Sequence, residues 1–335
     1  MNRLKNTFAI GCLVQWYEIE IFEEYIETVT QALSSVKNKE NVIVDIFFNM
    51  AQNLEKIDES QMSLNEIFKR FTKMRDELSQ NGVHTVVKFY PNNIAEFDNQ
   101  KLKPYTIADY RREFNDRYCE KVDVLMWGET DSLIPRQTFE ILDNLHTRVK
   151  DETPKYITFF SVCKMWDESW KILEHSDFTD KPFIENDYDN WWSLKYTMNQ
   201  DEMEKINEKV TDLDIQVTNQ HKFNGCGLVI PSEVVKSGVN IPRSVFFVHE
   251  DTAFMLMIQK VLGMIPQYII KNILLVHNRN HPNKRMYVEG ERTDGTINEK
   301  RRSNEWYVKA NKMSEHNTYN LFNQTKTYTW EDVYE

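Results

Sequence analysis

Two acidic residues one position apart, Glu129 and Asp131, follow an apolar run that ends at Trp127-Gly128. Carboxylates spaced this way at a strand end can face one divalent cation and its water shell. Mg2+ and Mn2+ take such hard oxygen ligands and leave positions open for a substrate's phosphates. The same residues also fit an acidic turn before a helix, with Asp131 or Ser132 as its cap. A second acidic pair, Glu250-Asp251, opens an apolar-periodic stretch. The helix dipole favours acids at a helix start, so this pair reads as a cap unless its neighbours give Asp251 a proton to accept. Third comes His277, just past Leu274-Leu275-Val276, with His281 shortly after it. An imidazole there can ligate a metal or meet a phosphate, or stand as an exposed structural histidine.

The elements that must position these groups alternate. Phe8–Val14, Val42–Phe48, Val83–Phe89, Val122–Trp127 and Tyr156–Val162 are apolar runs of strand length. Helical spacing lies between them. Phe22, Ile26, Val29 and Leu33 share one face of residues 18–35. A capping box, Ser63 to Glu66, opens a helix carrying Ile67, Phe71, Met74 and Leu78. Residues 106–119 and Arg136–Lys150 complete the set. This order predicts an α/β fold, a mostly parallel sheet with helices on both faces. Ligands of such sheets sit beyond the carboxyl ends of the strands.

The second half is less regular. Residues 166–192 hold four of the eight tryptophans among many Asp and Glu. A charged helix spans 201–209, a glycine-containing strand lies within Asn224–Ile230, a helix covers 251–262, and Ile273–Val276 is the last strand. From 278 to 312 the chain turns basic, with nine Lys/Arg against five Asp/Glu.

Composition narrows the function classes. Only nine glycines occur, with no G-x-G-x-x-G and no G-x-x-x-x-G-K-[ST], which disfavours dinucleotide and P-loop phosphate sites. A net charge of -11 argues against wrapping a nucleic acid, although the segment after 278 can form a local basic face. Four cysteines without a C-x-x-C pair suggest reduced thiols rather than a zinc site or disulfides. No apolar run approaches the ~18 residues of a membrane span, so a cytoplasmic protein is expected.

Taken in order, these segments resemble the GT-A fold glycosyltransferases, most closely those of the family 2 type. Glu129-Thr130-Asp131 followed by Leu133-Ile134-Pro135 matches that family's D-x-D-like motif and hydrophobic-Pro turn. Gly225-Cys226-Gly227, the turn to Gly238 and then Glu250-Asp251 match its glycine-containing strand and its acidic pair. The resemblance covers roughly residues 7–280. It implies a GT-A-like domain over 1–280, with a nucleotide-sugar half at 1–150, an acceptor half at 151–280 carrying the aromatic-rich insertion, and a basic extension at 281–335. It further implies a metal (Mn2+ or Mg2+) held by Asp131, Glu129 and His277, with His281 the second choice. Asp251 becomes the general base, Glu250 its catalytic neighbour, and the reaction a single displacement with inversion.

Two of the family's motifs are absent. The usual acidic motif after strand two is replaced by Phe48-Asn49-Met50, so Gln15, Tyr17, Asn49 and Gly128 are the candidates to hold the nucleotide sugar. Q-x-x-R-W is missing, which argues against polymer synthesis. On the acceptor side the resemblance points to Gly227, Trp191 and Trp192. The Asn/Lys-rich, glycine-poor style is similar to phage-encoded glycosyltransferases. It makes a hydroxymethylated base in DNA an acceptor to weigh beside a glycan, and host cytoplasm the location. Rival expectations are a nucleotidyltransferase, for which Gln15-Trp16-Tyr17-Glu18 lacks the glycine-rich basic loop, and a non-catalytic glycan-binding protein.

Overall fold

The computed structural model describes residues 2–15, 18–49, 64–80, 84–89, 105–162, 172–178, 198–218, 224–277 and 305–335. Its centre is set by apolar runs that pair in parallel because helices connect them. Strand β1 (Phe8–Gln15) lies between β2 (Val42–Asn49) and β4 (Val124–Trp127), and β3 (His84–Phe89) flanks β2. Phe8 sits opposite both Val42 and Val124, and Gly11 opposite both Asp45 and Trp127. The other half of the sheet contains β6 (Ile157–Ser161), β7 (Ile215–Thr218), β8 (Val229–Pro231) and β9 (Gln267–Leu274). The full order is β3-β2-β1-β4-β8-β6-β9-β7. All strands run one way except β8 and β7, which are reversed.

Side-chain alternation sorts the two faces. On β2, Phe48 meets Phe22 of α1 (Ile19–Ser34), whereas Phe47 meets Tyr110 of α3 (Ile107–Tyr118). On β1, Phe8 meets Phe139 of α4 (Thr138–Val149). A Cβ on Gly11 would lie 2.5 Å from the Phe114 ring of α3. One face thus carries α1 and α4 and the other α3. A buried charge stands inside β2: Asp45 accepts from the Tyr118 hydroxyl and Arg117 Nη1, both at 2.6 Å, and from the Tyr110 hydroxyl at 3.1 Å. One apolar core runs from Leu4 to Val276 and includes both halves of the sheet.

The reversal of β8 decides what meets at the sheet edge. The carboxyl ends of β1, β2, β4 and β9 reach that edge. So does the beginning of β8, whose Leu228 carbonyl accepts from the Trp127 N–H at 2.9 Å. The alternation of strands and helices therefore holds as expected, and the sheet is mostly parallel, with β7 and β8 reversed. The last main strand begins at Gln267, earlier than the apolar run Ile273–Val276 suggests. The reason is that Lys271 and Asn272 interrupt the apolar pattern at an irregularity of the ladder, where the β6–β9 register jumps from Phe160 opposite Ile270 to Ser161 opposite Leu274. Lys271 Nζ is capped by the Ile172 and Glu174 carbonyls.

Helix α2 (Leu64–Gln80) precedes β3, α5 (Gln200–Asn207) precedes β7, and α6 (Ser232–Lys236) follows β8. Helix α7 (Glu250–Leu262) stops at Gly263, whose φ is +77°. Two C-terminal helices, α8 (Glu305–Tyr319) and α9 (Trp330–Tyr334), pack Ala310, Trp330 and Val333 on Phe246. Their side chains also grip the loop before α7. Asn317 Nδ2 donates to the Ser244 carbonyl at 2.8 Å, and Ser314 Oγ to the Val248 carbonyl at 2.7 Å. Among the described residues no helix is long and apolar enough to cross a membrane.

Two histidines are buried in the frame. His146 Nδ1 lies 2.9 Å from the Tyr156 hydroxyl. Burial lowers the affinity of His146 and His175 for a proton. Both bind that proton more readily once unfolded. Their contribution to stability is present above the ordinary imidazole value of 6.5 and is lost as pH falls through the lowered folded values. His146→Gln is therefore expected to flatten the fall in urea midpoint between about pH 7 and pH 5. A slope equal to that of the parent protein would show that His146 is not held neutral.

Candidate metal centre and acid pair

Past Trp127 the chain leaves the sheet through two backbone bonds. Gly128 N–H donates to the Gly11 carbonyl at 2.6 Å, and Ser132 N–H to the Glu129 carbonyl at 3.0 Å. The turn brings both Glu129 and Asp131 within reach of His277. Strand β5 (Ser132–Leu133) then pairs antiparallel with β10 (Val276–His277), placing His277 opposite Ser132. As a result His277 Nε2 lies 3.1 Å from Asp131 Oδ2 and 3.4 Å from Glu129 Oε2. Asp131 is buried, while Glu129 is 23% exposed and His277 11%. The residues 224–228 before β8 bring Cys226 to the same spot, its Sγ 3.0 Å from Ser132 Oγ. Ligand atoms of Glu129, Cys226 and His277 all fall within 4.8 Å of one another.

Arg111 of α3 ties this cluster to the second acidic pair. Its Nη2 is paired with Glu129 and its Nη1 with Glu250. Nη2 also donates to the Gly225 carbonyl at 3.1 Å. The guanidinium lies over the Trp127 ring, 4.7 Å from its centre, and Trp127 Nε1 donates to Asn115 Oδ1 at 2.9 Å. Gly225 is needed for this approach, because a Cβ there would sit 2.5 Å from Arg111 Nη1.

The acids at the start of α7 have different surroundings. Glu250 is buried, whereas Asp251 is partly exposed and accepts from the Thr252 N–H at 2.7 Å. The turn into α7 passes through His249 in the left-handed region, at φ 67°. His249 Nε2 lies 2.9 Å from Asn311 Oδ1 of α8, which helps hold that turn.

Burial pushes the Glu250 carboxyl up, against the pull of Arg111. His277 shows the opposite balance. Burial alone would lower it, but the charges of Cys226 and Asp131 push it up to about 10. Burial raises the Cys226 thiol, and His277 opposes that rise.

Of the expected metal ligands, Asp131, Glu129 and His277 come together; His281 lies outside the described residues. Glu250 and Asp251 stand at the start of α7, and Glu250 is linked to Glu129 through Arg111. Gln15 and Asn49, at neighbouring strand ends, are joined by a bond from Asn49 Nδ2 to Gln15 Oε1 at 3.0 Å. Gly128 is buried beneath the acidic turn. Gly227 is buried too: its φ is +66° and a Cβ would lie 2.5 Å from Leu275 Cδ1, so it serves the turn into β8. Tyr17, Trp191 and Trp192 lie outside the described residues. Arg111 and Cys226 were not anticipated. Arg111 shares the inner face of its helix with Ala108, Asn115 and Tyr118, and an arginine on that face is a readable signal.

No family model and no curated protein matches the chain. Among solved structures it is similar to a mycobacterial protein at 8% identity and a TM-score of 0.41, over 92% of this chain and 75% of that one. That is too distant to assign a family.

Removing the shared guanidinium should be costly, since it leaves two inward carboxylates facing each other. Arg111→Met is expected to lose about 3–5 kcal/mol of unfolding free energy. Arg111→Lys should recover only part, because an ammonium cannot reach both acids in the same fork. Urea unfolding checks this, and a loss under about 1 kcal/mol would mean the three charges do not act as a buried unit.

Proposed function

We propose that the chain is a metal-dependent glycosyltransferase that moves a sugar from a nucleotide-diphosphate sugar to a hydroxyl acceptor with inversion. The observation that carries this reading is the approach of Glu129 and Asp131 to His277 at the carboxyl edge of the sheet, with Arg111 joining Glu129 to Glu250 at the start of α7. The His277 imidazole lies 3.1 Å from the Asp131 carboxylate and 3.4 Å from that of Glu129, and nitrogen and oxygen donors of these types suit a divalent cation such as Mn2+ or Mg2+. When bound, the cation supplies charge stabilisation to the departing diphosphate.

The protein's own groups do the rest. Gln15, partly exposed at the end of β1, offers an amide suited to orienting a nucleotide, and the buried Asn49, whose Nδ2 donates to Gln15 Oε1 and to the Tyr105 carbonyl, holds it in place. Glu250 is held inward by Arg111 and fixes the start of α7. Asp251, the more open of the two acids, accepts the proton of the attacking hydroxyl as general base. The acceptor is a glycan or a 5-hydroxymethylated pyrimidine in DNA, and aromatic faces such as Trp191 and Trp192 suit either.

A panel of nucleotide sugars, supplied with Mn2+, Mg2+ or Zn2+ in turn, tests the reading through release of the nucleotide. Asp131→Asn is expected to abolish metal-dependent release. Asp251→Asn should keep donor binding, seen as an unchanged thermal shift, and lose about 10²–10⁴-fold in transfer. Absence of release and of stabilisation by every nucleoside diphosphate with metal would sink the proposal. Comparing plain with hydroxymethylated DNA and with glycans separates the acceptors.

A further inference from the structure

The proposed reaction leaves Cys226 without a task, yet the fold brings its sulfur to the donor cluster. We propose that Cys226 is a ligand of the cation at this edge, and that the site therefore selects a thiophilic ion of the zinc class over magnesium. The inference rests on the reading that Glu129 and His277 hold a cation; it adds the sulfur and the class of ion.

Geometry comes first. A tetrahedral zinc ion takes nitrogen and oxygen at about 2.0–2.2 Å and sulfur at about 2.3 Å, so its donors stand about 3.3–3.8 Å apart. His277 Nε2 and Glu129 Oε2 are already 3.4 Å apart, and Cys226 Sγ is within 4.8 Å of each ligand atom. Small side-chain rotations close the remainder. Among the described residues, no other group of three potential ligands gathers in this way.

The sulfur is also held in place. Asn224 Oδ1 accepts the Cys226 N–H at 3.0 Å, and Arg111 holds the preceding carbonyl at 3.1 Å. The left-handed Gly227 fixes the following turn. Ser132 Oγ, 3.0 Å away, can donate to a thiolate as the outer partner that metal ligands use. By contrast, Cys12 and Cys119 are buried beside backbone carbonyls, at 3.6 and 3.8 Å.

The chemistry of the donors sets the ion. Sulfur and imidazole suit zinc and its neighbours, while magnesium demands oxygen and six-fold geometry. Binding forms a metal–sulfur bond and releases the thiol proton to solvent.

Chelator-stripped full-length protein titrated with Co2+ tests this. The wild type should develop the near-ultraviolet thiolate-to-cobalt absorption at one ion per chain. Zn2+ should erase it, and about a thousandfold excess of Mg2+ should leave it intact. Cys226→Ser should lose the band and weaken Zn2+ binding by at least about 100-fold. Cys163→Ser should keep both. If Cys226→Ser fails to fold by circular dichroism, the wild-type band and the Zn2+/Mg2+ competition decide alone. No band in the wild type, displacement by Mg2+, or a band retained in folded Cys226→Ser overturns the inference. A thiolate band without nucleotide-sugar turnover would sink the transferase reading and leave this one standing. Turnover with Mg2+ and no thiolate band would do the reverse.

Discussion

One guanidinium between two carboxylates is the constraint on which the rest of this edge depends. Arg111 comes from a helix on one face of the sheet, Glu129 from the turn after β4, and Glu250 from the start of α7. Each charge is expensive to remove from water on its own, and each is tolerated because the other two are present. The Trp127 ring under the guanidinium and the Gly225 carbonyl beside it complete its surroundings. Three segments far apart in sequence are thereby fixed to one point. A shift in any of them exposes the others to an unpaired buried charge.

The acid pair at α7 divides its labour through burial. Glu250 turns inward and is occupied by Arg111, while its neighbour faces outward with its carboxylate held by a backbone N–H. Sequence alone cannot distinguish adjacent acids in this way, because the difference arises from a left-handed turn at His249. That turn is in part kept by Asn311, from a helix that follows in the chain. The C-terminal helices are thus part of the site's support: they hold the loop that aims the pair.

Much of the frame could be read from the sequence, because long apolar runs separated by helical periodicity leave few alternatives. The strands β1, β2 and β4 fall close to where their apolar runs do, and α3 begins at Thr106, whose N–H donates to Asp109 as a capping box requires. What could not be read were partnerships set by tertiary placement. Asp45 sits in an otherwise apolar strand, and nothing local reveals that two tyrosines and Arg117 await it. Cys226 carries no ligand spacing, since its companions lie on β10 and after β4. The reversed direction of β8 was hidden too, because a short apolar strand looks the same read either way. At the site, Glu129, Asp131 and His277 were legible because each follows a strand end. Arg111 left a signal in its place on the inner face of α3, but its two acid partners, 18 and 139 residues away, did not.

The reversed strand has a consequence for the order of assembly. β8 lies between β4 and β6, although both precede it in the chain. A growing polypeptide that has already emerged through β6 still has an open slot in the middle of its sheet. Loop closure must bring distant residues into that slot before the centre is continuous, and such non-local contacts are slow to form. The donor cluster, completed by the segment entering β8 and by β10, is consequently among the last features to mature. A chain cut short before these elements would lack Cys226 and His277, two of the three donors that gather at this edge.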